Sequence, residues 1–327
     1  MSHDHLEASS LQGLVIKKTI GQYCVQAGNR NYICKLSNRL HKELVYPTAD
    51  TSSLSRRVVE VRDIHSVDPV AVGDVVTFWD AGAGTGMITA VLPRRNRLSR
   101  MAAGTKPLEQ VLAANVDQIL AVFAAARPAP KWNLLDRYLL SAEEAGIPVI
   151  VAITKMDLAG KDELSDLEIY EGIGYSILRT SSLTGQGIPE LRGRLAGKIS
   201  VLMGKSGVGK TSLLNAIQPG LGLRISAVSQ GDIGKGRHTT AHIEMVELEG
   251  NGKVIDTPGM REFGLWERDN QTLANLFPEM RPYLGRCRFG QNCQHQREPG
   301  CAVRSAVDQG AISQQRYASY VKLYNEG

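Results

Sequence analysis

The chain has 327 residues, a net charge of +5 and an ordinary mixed composition, with 43% hydrophobic and 22% charged residues. No apolar run approaches the roughly 18 residues needed to span a bilayer. The polar start "MSHDHLEASS" lacks the basic-then-apolar layout of a secretory signal, so a membrane protein and an exported one are set aside and a cytoplasmic location is expected. The length suffices for two or three domains. The excess positive charge lies in the two flanks of the chain, which fits terminal parts that meet a polyanion and equally fits a solvated surface.

After the polar tail, "LQGLVIKK", "QYCVQAG", "NYICKLS", "DVVTFWD" and "GMITAVLP" are five short strand-like runs separated by turn signals. This spacing predicts a small β-barrel. Between the third and fourth runs lies a long polar stretch, "NRLHKELVYPTADTSSLSRR", a loop crossing the barrel or a binding loop. The barrel ends in "PRRNRLSR", whose Arg94, Arg95, Arg97 and Arg100 fit either a charged linker or an RNA-facing edge.

From about residue 106 the pattern changes. "DQILAVFAA", "IPVIVAIT", "YSILRTS", "KISVLMG", "HIEMVEL" and "GKVIDTPG" read as strands, several of them continuously apolar, with helical "KWNLLDRYLLSAEEAG" and "SLLNAIQ" between. Strands of that kind suit a parallel sheet covered on both faces, so a doubly wound α/β domain is expected. Past "REFGLWERDN" the chain turns helical and ends in "SQQRYASYVKLYNEG", where Tyr317, Val321 and Tyr324 form a packing stripe.

"ISVLMGKSGVGKTSLLNAI" is strand, glycine-rich turn and helix, the context that makes G-x-x-x-x-G-K-[ST] a phosphate site. Gly204, Lys205, Ser206, Gly207, Val208, Gly209, Lys210, Thr211 and Ser212 are expected around the phosphates, with Lys210 on the β- and γ-phosphates and the Thr211 hydroxyl on Mg²⁺. The loop alone does not choose between ATP and GTP. "TKMD" does: Asp157 can accept from the two N–H donors of guanine, the Lys155 stem can lie over the ring, and Thr154 can brace the phosphate loop. Ser181 and Ser182 in "RTSSLTGQG" stand where a guanine-binding turn is expected. Downstream, "GRHTT" offers Thr239 and Thr240 as a switch segment closing on Mg²⁺ and the γ-phosphate. "DTPG" offers Asp256 to hold Mg²⁺ through water, and the Gly259 N–H to the γ-phosphate. The magnesium set is thus Thr211, Thr240 and Asp256. Met260 stands where Ras-like enzymes carry a water-orienting Gln, so intrinsic hydrolysis should be slow.

The motifs run in the order base reader, guanine turn, phosphate loop, first switch, second switch, a circular permutation of the usual GTPase order. Of the five cysteines, three fall in "CRFGQNCQHQREPGC". Cys287, Cys293, His295 and Cys301 supply three thiolates and one imidazole, a closed tetrahedral set suited to a structural zinc ion.

On "PRRNRLSR", "AANVDQ", "TKMD", "SSLTGQG", "GKSGVGKTSLLN", "GRHTT", "DTPGMREFGLW" and "CRFGQNCQHQREPGC", the chain resembles the circularly permuted GTPase family of the ribosome small-subunit-dependent GTPase A. The resemblance covers nearly the whole chain. It implies three parts: an N-terminal OB-fold β-barrel over 1–100, a circularly permuted α/β P-loop GTPase domain over 101–263, and a C-terminal helical zinc-binding domain over 264–327. It further implies GTP hydrolysis to GDP late in 30S maturation, stimulated by the subunit, with binding to 16S rRNA; a monomeric state is expected. His238 is the residue named to position the attacking water, a solvent-facing loop histidine being the alternative. The family spacing has four residues between the first two cysteines where this chain has five, and Gln291 or Asn292 is expected to bulge. Two other classes stay open: a nucleotide-gated RNA-binding module with incidental hydrolysis, and a P-loop enzyme such as a small-molecule kinase.

Overall fold

A computed structural model of the chain describes residues 10–41, 44–45, 60–61, 68–101, 109–160, 164–221, 243–256 and 272–326. His238, Thr239, Thr240, Gly259 and Met260 lie outside the described residues, as does most of the polar stretch after the third strand. Two compact units emerge, one of residues 1–116 with 233–247 and 253–259, the other of 117–232, 248–252 and 260–327.

In the first unit, β1 (Ser10–Thr19), β2 (Gln22–Ala27), β3 (Arg30–Leu36), β4 (Val75–Gly82) and β5 (Thr85–Val91) are the five expected runs. They pair in the order β1-β2-β3-β5-β4, and β4 returns to β1, which closes the barrel. Only β3 and β5 run parallel. That order is the OB topology. Alternation places Tyr23, Val25, Tyr32, Cys34, Val76, Phe78 and Ile88 inside, with the rings of Tyr32 and Phe78 5.0 Å apart. Gly86 is needed on β5, since a Cβ there would lie 2.8 Å from the Trp79 carbonyl oxygen and 2.9 Å from the Cys34 sulfur.

A hairpin follows, β6 (Arg97–Met101) with β7 (Glu109–Ala114). It carries the basic run, and every arginine of that run has a partner inside the unit. Arg94 forks onto the buried Asp74 carboxylate with two bonds of 2.7 Å. Arg95 donates to the Asn115 carbonyl at 3.1 Å, Arg97 to Glu109 at 2.7 Å and Arg100 to the Gln110 side chain at 2.9 Å. The run therefore ties strands of its own unit together, with Arg94 and Arg100 half-buried and Arg95 and Arg97 exposed.

The second unit is built on a parallel sheet of β8 (Gln118–Ala124), β9 (Val149–Thr154), β10 (Ser176–Arg179) and β11 (Ile199–Met203), in the order β10-β9-β8-β11. Strands β8 and β9 are buried at every residue, as their continuous apolar runs require. Helix α1 (Trp132–Ala145) buries Leu135, Tyr138, Leu139 and Ala142, and stops at Gly146 in a left-handed cap with φ 64°. Shorter helices α2 (Leu167–Ile173) and α3 (Ile188–Leu195) precede α4 (Lys210–Ile217). The registers Ala124↔Thr154, Ile153↔Arg179 and Ala121↔Met203 bring the carboxyl ends of all four strands to one edge. Because β8 sends the chain to β9 on one side and has β11 on the other, that edge holds a switch point, where open α/β sheets bind ligands.

Strands β12 (Ile243–Leu248) and β13 (Gly252–Asp256) pair with each other, and β12 pairs with β1 of the barrel at Lys17↔Glu244. The C-terminal part of the second unit packs Phe277, Met280, Val303, Ala306, Ile312 and Tyr320 around the three clustered cysteines. It closes with α5 (Ala302–Asp308) and α6 (Gln314–Asn325). No helix among the described residues is long and apolar enough to cross a membrane.

Candidate functional site

Four loops leave the carboxyl edge of the parallel sheet, and three carry the motifs. After β11 the chain turns through Gly204, Gly207 (φ 81°) and Gly209 (φ 95°) into α4. These positive φ values suit glycine and turn successive N–H groups toward one center. Lys210 opens α4 and its Nζ donates to the Gly204 carbonyl at 2.8 Å and the Lys205 carbonyl at 3.1 Å, so the ammonium sits inside its own loop. Thr211 and Ser212 follow in the first turn, half-buried, while Ser206 is exposed and Val208 buried.

The loop after β9 is tied to this one. Thr154 is buried and its hydroxyl bonds to the Val208 carbonyl of the phosphate loop. Lys155 takes a left-handed turn with φ 56°. Its Nζ donates to the Gly207 carbonyl at 2.8 Å and also to the Arg127 carbonyl. Burial pulls the Lys155 ammonium below its usual range, and Asp157 opposes that shift. Asp157 is exposed at the sheet edge, and its Oδ1 accepts the Ser181 hydroxyl at 2.5 Å. Ser181 is itself buried, and its Oγ accepts the N–H groups of Leu183 at 3.3 Å and Thr184 at 3.2 Å. Ser182 beside it is half-buried. The turn ends at Gly187, with φ 68°, where a Cβ would fall 2.3 Å from the Arg179 carbonyl oxygen.

Three motifs that lie far apart in the chain thus form one bonded unit: Thr154 and Lys155 grip the phosphate loop, and Ser181 holds the Asp157 carboxylate. Thr154→Val should weaken guanine nucleotide binding by about 5- to 10-fold, the worth of one buried hydrogen bond. Titration with a fluorescent GDP analogue measures it; unchanged affinity would show that the brace does nothing for the ligand. Asp256 ends β13 in the first unit and Thr211 lies in the first turn of α4 in the second; each is by itself a hard oxygen donor of the kind magnesium takes. The Arg127 carbonyl is a site contact that no motif announced, since any residue there would present the same oxygen.

The second cluster is in the C-terminal part. Cys287, Cys293, His295 and Cys301 are all buried, and their ligand atoms lie within 4.8 Å of one another, so they could hold a metal ion. The His295 Nδ1 is 3.5 Å from the sulfurs of Cys287 and Cys301, which are 3.9 Å apart. Zinc–ligand bonds of about 2.3 Å to sulfur and about 2.0 Å to nitrogen set tetrahedral edges of about 3.8 Å between two sulfurs and about 3.5 Å between sulfur and nitrogen, so the set fits zinc. Burial pushes the Cys293 thiol up to about 12 and holds the His295 imidazole below its usual range, in the neutral form that ligates.

The surroundings brace the ligands. The Ala302 N–H donates to the Cys287 sulfur at 3.3 Å. Tyr317 and Tyr320 donate to the carbonyls of His295 at 2.7 Å and Gln294 at 2.8 Å. Tyr317 thus does more than pack. The five residues between Cys287 and Cys293 are taken up by a 3₁₀ turn over Gly290–Asn292 that leaves Gln291 and Asn292 exposed.

The profile of the RsgA GTPase family matches residues 91–266, more than half of the chain. The chain belongs to the RsgA GTPase family. Its members hydrolyze GTP, and this chain is such a hydrolase. Relatives include the small ribosomal subunit biogenesis GTPase RsgA of Gemmatimonas aurantiaca, 45% identical over 81% of this chain and 86% of its own. The protein of the same name from Bacteroides fragilis is 35% identical over 97% of both chains. Among solved structures, YjeQ from Thermotoga maritima superposes with a TM-score of 0.71 at 32% identity, covering 97% of this chain and 98% of its own. YloQ, described as a circularly permuted GTPase, gives 0.66 at 28% identity over 100% and 97%. The RsgA fold accounts for the closed five-strand barrel, the permuted motif order and the Cys₃His cluster together.

Proposed function

We propose that this RsgA-family GTPase acts in late maturation of the 30S ribosomal subunit, binds 16S rRNA through its barrel, and is stimulated by the subunit it serves. The observation that carries the nucleotide half is the bonded unit of base reader and phosphate loop, Thr154 to Val208, Lys155 to Gly207 and Ser181 to Asp157. The ribosomal half rests on relatives named for small-subunit biogenesis that match nearly end to end.

The residues divide the work by chemistry. Asp157 accepts the two N–H donors on the guanine edge, while the Lys155 stem covers the ring. The backbone N–H groups of Gly204 to Thr211 surround the phosphates, and Lys210 neutralizes the β- and γ-oxygens. Thr211, Thr240 and Asp256 would hold Mg²⁺, which when bound would supply the charge that offsets the phosphate oxygens. The Gly259 N–H meets the γ-phosphate, and His238 orients the attacking water in place of the Gln that Met260 replaces. Docking on 30S brings His238 to the attacking water, so hydrolysis is slow off the subunit. The protein works in the cytoplasm as a monomer.

The Cys₃His cluster carries one structural zinc ion. Elemental analysis should find about one zinc per chain, and Cys293→Ser should release most of it and lower the thermal midpoint, because metal binding there is folding energy. A zinc-free wild-type protein of full stability would overturn that assignment.

The experiment that tests the whole reading compares GTP with ATP turnover alone and with purified 30S, 50S or 70S particles. GTP turnover should rise with 30S and ATP turnover should stay at background. No response to 30S would sink the ribosomal reading.

A further inference from the structure

The barrel buries its aromatic residues with one exception among those described. Tyr23, Tyr32 and Phe78 are at most 7% exposed, whereas Trp79 is 49% exposed on the outer face of β4. The strand registers show what stands beside it. Trp79 is directly opposite Met87 on β5, and Met87 is directly opposite Lys35 on β3. Ile33 and Thr85 form the neighboring pair on the same outer face. Met87 is 43% exposed and Ile33 48%. One row of the barrel wall therefore reads lysine, methionine, tryptophan, with an isoleucine one step along.

The charges fit a polyanion. Lys35 and, in the helical turn just after β3, Arg39 are exposed. Among the described residues no hydrogen bond or ion pair engages the side chain of either. The contrast with Arg94, Arg95, Arg97 and Arg100, all committed within the unit, is direct. Asp80, the acidic neighbor of Trp79, turns its Oδ1 back to the Gly82 N–H at 2.8 Å. An exposed aromatic with apolar flanks and uncommitted cations is the equipment of a single-strand stacking platform, where bases lie on the ring and phosphates meet the cations. A protein partner fits less well, because lysine is depleted from the core of protein interfaces and here it stands in the row itself.

We propose that the outer β3–β5–β4 face is the RNA-contacting surface of the barrel, with an unpaired base stacked on Trp79 and its phosphates held by Lys35 and Arg39. This rests on the reading that the barrel meets ribosomal RNA, and it moves the contact from the arginine run to a different wall.

The test uses the full chain, a fluorescein-labeled single-stranded polyuridylate, and 30S particles. Trp79→Ala should weaken oligonucleotide binding by roughly 5- to 100-fold, and Trp79→Phe, which keeps a stacking ring, should restore most of it. RNA should quench the tryptophan fluorescence of the wild type, and both variants should lose that quench. Lys35→Ala should lower the salt slope of binding by about 0.7. Basal GTP turnover should not change in any of them. Equal RNA affinity for wild type and Trp79→Ala, or no RNA binding by the wild type, would overturn the proposal. So would a Trp79→Ala protein that loses 30S affinity but keeps its RNA affinity, since the face would then dock a ribosomal protein. Trp79-dependent RNA binding in a chain that 30S does not stimulate would uphold the stacking face and sink the ribosomal reading instead.

Discussion

Asp157→Asn should weaken GTP binding by about 100- to 10,000-fold while leaving the fold intact. Each hydrogen bond to a charged group is worth about 1.5–3 kcal/mol, and in the role proposed for it the carboxylate accepts two from guanine. An Asn side chain has one carbonyl oxygen and one NH₂ group, so one donor of guanine keeps an uncharged acceptor and the other faces a donor. The Ser181 hydroxyl, which now donates to Oδ1 at 2.5 Å, can still donate to an amide oxygen, and this fixes how the Asn would lie. Its NH₂ then points to the ligand. Xanthine carries an oxygen at C2 where guanine carries an amino group, so the variant should gain affinity for XTP as it loses GTP. Competition of GTP and XTP against a fluorescent nucleotide measures both. Parallel loss of the two would show that Asp157 holds the turn and does not read the base.

Arg316→Met should destabilize the second unit by about 3–5 kcal/mol, the usual penalty for breaking a buried ion pair from one side. Arg316 is fully buried in α6. Its Nη1 donates to Asp136 at 2.5 Å and its Nε to Glu279 at 2.7 Å, while the guanidinium lies 4.7 Å from the center of the Phe277 ring. Tyr170 donates to the same Asp136 oxygen at 2.8 Å, and Ser319 donates to the other. Methionine fills the volume but leaves two carboxylates in the interior without their cation. Urea unfolding should show a midpoint shift of that size, and a double-mutant cycle with Asp136→Ala should show strong coupling. A shift under about 1 kcal/mol, the range of an exposed pair, would count against a buried network.

How far these features could be read from the sequence follows from the range of the interactions. The phosphate loop is legible because strand, turn and helix are contiguous and glycine alone tolerates its backbone angles. The barrel is legible because inward residues such as Tyr32 and Cys34 alternate with outward ones. Lys155 and Asp157 could be named, but the Arg127 carbonyl could not, because a backbone oxygen leaves no trace in residue identity. Arg94 to Arg100 look like a free charged edge in one dimension, and only the approach of Asp74, Glu109, Gln110 and Asn115 shows that each has a partner within its own unit. The Tyr317 stripe on α6 was visible, yet Arg316 beside it gives no sign of burial. Its partners sit 37 and 180 positions away, and a lone arginine in a helix ordinarily faces water.

That last separation bears on how the protein is made. Asp136 stands in the first helix of the nucleotide-binding unit, and the groups that satisfy it, Arg316 and Ser319, are among the last to be synthesized. A ribosome translating this chain therefore delivers the phosphate loop and the guanine reader well before the side chains that complete the interior beneath them. Until the final helix leaves the exit tunnel, a carboxylate meant for the interior has, among the described residues, Tyr170 alone to meet it. A chain released early would carry every nucleotide motif and still lack the bolt that closes its core, so this arrangement makes stability a check on full-length synthesis.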